Sequence, residues 1–330
     1  MPKINPQKET LRIMGKIRHN VRNGKWICMC DGCSEMAINS HLLMRNGILS
    51  YVVEEGHVYE LHSDASQAMR ADKMPINFKR VGINQAISHH VFCKEHDDSL
   101  FEEIEKRTPD YTLYRHVALY SYRALCAEIR KKEIEVEIQK RIIQSSALYG
   151  LTGPDYIDNY KMSYAMETIG LRDLNYYKEQ IKGDIDNGTE SLVFYSRELP
   201  IKGIYASATS SLFASEEETL SESILNILFI HLIPLAESTQ LVIGYHKEKV
   251  NDKILNYVHR WKAAKVEDIG AILTALFTQV ETWGMSPSVY KKLKPESMKA
   301  FYKKLEKSFN TIDQTPMEDN NLFDGILEDE

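Results

Sequence analysis

The sequence predicts an α+β fold in two parts. A small N-terminal domain occupies 1–108, a helix-rich domain with a small antiparallel sheet occupies 109–312, and an acidic, disordered tail closes the chain at 313–330. Three observations predict it. Four of the five cysteines fall in two short stretches, Cys28 to Cys33 and Cys93, within the first hundred residues. From Tyr111 to Gly150 apolar residues recur at helical spacing with no proline or glycine between them. Between Ser191 and Lys247 the period shifts to short β-branched and aromatic runs.

Taken in order, residues 9–22 place Leu11, Ile13, Met14, Ile17 and Val21 on one side of a short amphipathic helix. "GKWICMCDGC" reads as a strand entering a cysteine turn, and "MAINSHLL" as the strand that leaves it. Tyr51–Val53 and His57–Leu61 flank Glu55-Gly56 and suggest a hairpin. Residues 63–82 read as loop. "DDSLFEEIEKR" reads as a helix with acids in its first turn, where the helix dipole favours them. A long helix follows to Gly150, and a second, antiparallel one runs from Tyr156 to Gly183 with an interruption near Gly170. "SLVFYSREL", "IKGIYASATSSLF", "NILFIHLIPL" and "TQLVIGYHK" read as antiparallel strands, with Glu237-Ser238-Thr239 as a turn. Ser215 and Glu218 have the spacing of a capping box. From Asn251 to Lys307 the pattern is helical again.

Composition narrows the function classes. Net charge is −6, yet the tail from Asp313 holds seven acids and no base, and without it 41 bases face 40 acids. The first 27 residues carry Lys3, Lys8, Arg12, Lys16, Arg18, Arg22 and Lys25 against Glu9 alone. This asymmetry suits a basic arm over residues 3–25 that meets DNA or RNA phosphates, and a separate tail for a protein partner. In that tail Leu322, Phe323, Ile326 and Leu327 form a candidate docking motif against a simpler solubilising role. No apolar run reaches ~18 residues, so no membrane span is expected. Nothing reads as a secretory signal, and five cysteines form no disulfide framework, so a cytoplasmic location is expected. Cys126 reads as a small core residue. No Walker-type phosphate loop, GxGxxG or GxSxG is present. The tyrosines between Tyr111 and Tyr177 read as helix packing in preference to base stacking.

The cysteines pair as Cys30-x2-Cys33 and Cys93-x2-His96. Zinc takes four thiolate or imidazole donors in a tetrahedron, and two intervening residues let one tight turn present two of them. A cysteine turn, a hairpin and a helix start form a treble-clef arrangement. Cys30, Cys33, Cys93 and His96 are therefore the expected ligands of a structural Zn2+, with Cys28 able to replace Cys30 or Cys33.

Within this frame, His41 follows the first pair by eight residues, Asn84 precedes the second pair, and Asp97 and Asp98 follow it. Over about residues 26–105 the chain resembles the zinc-containing His-Asn-His (HNH) endonucleases. That resemblance implies His41 as general base, Asn84 as its orienting partner, and Asp97 or Asp98 holding a catalytic Mg2+ or Mn2+ for phosphodiester hydrolysis. It also implies a component of phage defence or of a mobile element. Three features depart from the pattern. Ser40 stands where an acid or histidine is usual, Asn84 lies nine residues before Cys93, and no histidine follows His96 in the helix. The residues equally suit a second reading, a non-catalytic zinc-stabilised module that binds nucleic acid or protein. His89 and His90 are neighbours on a strand and point to opposite faces, so at most one can face any site.

Overall fold

A computed structural model describes residues 5–63, 76–106, 109–211, 223–309 and 316–326. Its first helix, α1 (Pro6–Arg22), begins where the Asn5 side chain accepts the Lys8 amide at 3.2 Å and Pro6 supplies a preset φ. Strands β1 (Asn39–His41), β2 (His57–Ser63), β3 (Ile76–Gly82) and β4 (Ser88–His90) follow, then helices α2 (Lys94–Leu100) and α3 (Glu102–Glu105). The two long helices are α4 (Tyr114–Ile143) and α6 (Pro154–Asn187), joined by the short α5 (Ser146–Thr152). Then come β5 (Leu192–Leu199), β6 (Ile204–Ser210), β7 (Leu228–Pro234) and β8 (Thr239–His246). Helices α7 (Asp252–Ala263) and α8 (Val266–Phe277), strand β9 (Trp283–Met285), and helices α9 (Pro287–Lys292) and α10 (Pro295–Phe309) complete the order.

The α+β class holds, but the sheet is larger than the sequence suggests. Seven strands run in the order β3-β2-β9-β6-β7-β8-β5, every pair antiparallel, and β1 with β4 forms a separate two-stranded ribbon. β7 shows why the sequence there is almost continuously apolar. Leu228, Ile230 and Leu232 face α7, α8 and α10, whereas Phe229 and Ile233 face α4 and α6. The sheet is thus the middle of three layers. His231, on the α4 face of β7, is buried between two hydroxyls, with Ser121 Oγ at 3.1 Å from Nε2 and Ser207 Oγ at 3.0 Å from Nδ1. Burial lowers its pKa to about 3.

Several expectations are corrected. The hairpin at Glu55-Gly56 is only a turn, closed by a Glu54–His57 bridge, because residues 49–51 coil into a 3-10 turn and β2 takes β3 as its partner. β3 itself lies in a stretch read as loop. The boundary at residue 108 does not separate two units, because β9, more than 200 residues on, pairs with β2 through Tyr59–Met285 and Glu60–Gly284. Finally, residues 316–326 of the acidic tail are folded against the chain, with Leu322 and Phe323 fully buried among α8 and α10 residues. The second long helix is unbroken at Gly170, which packs against Lys132. The Ser215–Glu218 capping box lies outside the described residues.

Candidate metal centre

The first cysteine stretch folds as a tight loop on a two-stranded neck. The Ala37 amide donates to the Trp26 carbonyl at 2.9 Å, Ile27 bridges Met36, and the Cys28 amide donates to the Glu35 carbonyl at 2.8 Å. Inside the loop the Cys33 amide donates to the Cys30 carbonyl at 3.1 Å, and Gly32 supplies the left-handed residue (φ +75°) that closes the turn. Met29 and Ile38 lock this loop onto the chain before α2, donating to the Val91 and Phe92 carbonyls at 3.0 and 2.7 Å. Cys93 is the residue that caps α2, so Cys93 and His96 lie on its first turn.

The four donors that converge are Cys28, Cys33, Cys93 and His96, all within 4.8 Å of one another. Cys28 takes the place expected of Cys30. Cys33 Sγ lies 3.9 Å from Cys93 Sγ, and His96 Nδ1 lies 3.1 Å from Cys93 Sγ and 3.5 Å from Cys28 Sγ. A tetrahedron with metal–sulfur bonds of about 2.3 Å and metal–nitrogen bonds of about 2.0 Å has edges of roughly 3.8 Å and 3.5 Å. Donor type and spacing therefore fit a four-coordinate metal ion and are consistent with zinc. Burial acts to raise the Cys28 thiol, but the amides of Cys30 and Cys93 and the thiols of Cys93 and Cys33 outweigh it and leave it at about 7. Cys30 turns into the core instead. Burial and the neighbouring Cys28 push its thiol up to about 12, which makes it a poor thiolate donor.

This loop is tied to the long helices from outside the donor set. Arg130 on α4 donates to the Ile27 carbonyl at 2.7 Å and lies over the Trp26 ring, and Lys178 on α6 pairs with Asp31 at 3.2 Å. Arg123 on α4, fully buried, pairs with Glu105 at 2.7 Å and Asp97 at 3.4 Å and covers the Phe101 ring.

The three residues matched to a catalytic role divide into two groups. His41 donates Nε2–H to the carbonyl of Ile83, the residue before Asn84, at 2.9 Å. Asn84 turns its side chain to Arg45 at 2.9 Å and takes the Asn39 amide on its carbonyl. Asp97 lies elsewhere. It sits beside Ser40 and the Arg123 guanidinium; burial raises its pKa, Arg123 opposes that, and Glu105 adds to it. Ser40 and His41 are adjacent on β1, so they face opposite sides, and Asp97 is across the strand from His41. Asp98 is exposed and paired with Lys94 at 2.7 Å.

A cavity of about 520 Å³ lies between β2, β4, α4 and the residues before β9, lined by His89, which the sequence reading weighed without assigning, and by Glu60, Lys131 and Glu281, which it did not single out. β9 is only three residues long and pairs with β2 at Tyr59 and Glu60 alone, so that edge of β2 is unpaired beyond Glu60, where Leu61 and His62 line the cavity. Its charges are satisfied internally. Glu60 accepts from the Ile87 amide at 2.8 Å and the Tyr205 hydroxyl at 2.7 Å, and Lys131 pairs with Glu128 and Glu281. No periodicity could reveal this convergence, because its residues come from seven separated segments.

Comparison with known protein families, with curated proteins and with solved structures finds no match to this chain. No helix among the described residues is long and apolar enough to cross a membrane.

Proposed function

We propose that this protein is a zinc-stabilised binding module whose metal is structural, with a treble-clef-like N-terminal region and nucleic acid as its ligand. The observation that carries the reading is the Cys28, Cys33, Cys93 and His96 group, whose four donors leave no open coordination position for a substrate or water. The nucleic-acid part rests on α1. Its inner side is spent on packing Met14 and Val21 against Ile138, Ile142 and Leu148. Arg12 and Arg22 are paired with Glu9 and Glu135. Lys8, Lys16 and Lys25 stay exposed, with no ion-pair partner among the described residues, and supply positive charge for phosphates. Lys3 lies outside the described residues.

A second reading, phosphodiester hydrolysis in the HNH manner, keeps one favourable observation. The Ile83 carbonyl accepts Nε2–H of His41 and so fixes the tautomer that leaves the lone pair on Nδ1. Against it, Asp97 is committed to Arg123 on the other side of β1.

Fluorescence anisotropy with labelled duplex DNA, single-stranded DNA and RNA tests the first reading. Reversible binding is expected that weakens steeply with salt and is lost in Lys8→Glu/Lys16→Glu/Lys25→Glu. Absence of binding at low salt overturns it. Incubating the same nucleic acids with Mg2+ or Mn2+ tests the second, and cleavage abolished by His41→Ala would promote it.

A further inference from the structure

The C-terminal segment 316–326 lies across α7, α8 and α10 in the manner of a bound peptide. Leu322 and Phe323 are 0% and 1% exposed, and Phe323 meets the Phe277 ring edge-on at 5.9 Å. The Leu322 amide donates to Thr274 Oγ1 at 2.7 Å, and Asn321 folds the turn by accepting the Phe323 amide at 2.9 Å. Asn321 itself rests on Gly270, in the middle of α8, where an added Cβ would come within 2.4 Å of its amide. Around this apolar plug stand three bases matched to three acids. Arg260 holds Glu318 through two nitrogens at 2.8 and 3.1 Å, Lys304 holds Asp319, and Lys294 holds Asp324 at 2.6 Å. Gly325 turns the chain away with φ +70°. Side-chain pockets, backbone reading and charge complementarity thus all select one short sequence, Glu-Asp-Asn-Asn-Leu-Phe-Asp-Gly.

We infer that this groove is a peptide-recognition site for that acidic Leu-Phe segment, that the chain's own C-terminal segment is its resident occupant, and that the same segment of a second copy can take its place. The chain supplies a ligand and its receptor in one molecule, which is the requirement for exchange of an identical element between copies. In cis the tether raises the effective concentration of the resident, so exchange needs the resident to be weakened or copies to be concentrated.

The test uses the full chain. In Leu322→Ala/Phe323→Ala the resident is weakened, and a labelled peptide of residues 316–326 is expected to bind at least tenfold tighter than to the wild type. Binding should weaken at least fivefold in 0.5 M salt, and by a similar factor when Arg260→Ala is added. A folded double variant that does not bind the peptide at 1 mM overturns the proposal. Should the double variant not fold, native-state hydrogen exchange on the wild type decides. The Leu322 and Phe323 amides are expected to exchange at least tenfold faster than the α8 amides, because the segment opens by itself. Exchange only together with α8 marks the segment as inseparable core and overturns the proposal. Peptide binding without any concentration-dependent dimer of the wild type up to 1 mM overturns the second copy as the source.

Discussion

The two ends of this chain are docked by opposite means. At the N-terminal loop, the neck between Trp26 and Ile38 turns Ile27, Met36 and Ile38 outward, and these are 58%, 43% and 40% exposed. Their transfer free energy contributes little, so the loop depends on donor atoms. At the C-terminal segment, both large apolar residues are inside and the donors are ordinary surface ion pairs. The comparison teaches that a loop with its apolar side chains outside gains little from burial and leans on polar ties, here above all a donor group that could hold a metal ion between residues 60 positions apart.

Breaking the cross-link should therefore have the largest effect. One zinc per chain is expected by elemental analysis. Cys33→Ser and Cys93→Ser should lose it and lower stability by several kcal/mol, since structural zinc binding is worth on the order of 10 kcal/mol in small peptides. Cys28→Ser should behave like them and Cys30→Ser should keep its zinc. Thermal melts with and without chelator, read beside metal content, check this. Equal zinc loss in Cys30→Ser and retention in Cys28→Ser would reverse the assignment. At the other end, Phe323→Ala should cost about 3–5 kcal/mol through the cavity it leaves against Phe277, with zinc content unchanged.

An intermediate effect sits on the α4 face of the sheet. His231 titrates near 6.5 in the unfolded chain but only at about 3 when folded, because burial disfavours its cation. Below pH 6.5 the unfolded state binds a proton that the folded state refuses. Stability is thus complete above about 6.5 and falls as pH drops toward 3. His231→Gln should lower stability at pH 7.5 by about 1–3 kcal/mol, through a lost hydrogen bond to Ser121 or Ser207. It should also remove up to about 1.4 kcal/mol per pH unit from the acid slope. Acid also releases metal from thiolates, so denaturant midpoints of both chains across pH 4–7.5 give the difference that isolates His231. Parallel curves would show that another group carries the slope.

What could be read from the sequence follows from how local each signal is. The two cysteine pairs, the long helices and strands β5 to β8 each sit in one continuous stretch whose spacing encodes them. The choice of Cys28 over Cys30 depends on the Glu35 and Val91 carbonyls that fix the loop, and the second of these lies more than 50 residues away. β9 is a Trp-Gly-Met triplet too short to show any period, and it becomes a strand only because β2 and β6 flank it. Asp97 reads as a free helix-start acid until the buried Arg123 is seen beside it. In the tail Leu322, Phe323, Ile326 and Leu327 suggest a docking motif, but the acids around them favour a disordered, solubilising reading, because the groove that receives Leu322 and Phe323 is built elsewhere.

The smallest expected effect separates holding the loop from positioning it. Lys178 reaches Asp31 from α6, but Asp31 is largely exposed, so solvent and salt screen the pair. Asp31→Asn should change stability by less than about 1 kcal/mol and leave zinc content untouched. The comparison of the two chain ends predicts this, because the loop is fixed by its four donors and the tether adds only orientation. Zinc affinity measured by competition with a chelator is the sharper readout. A tenfold loss in Asp31→Asn would mean that α6 presses the loop into its ligating shape, and the metal would then report on the packing of the long helices as well as on its own four ligands.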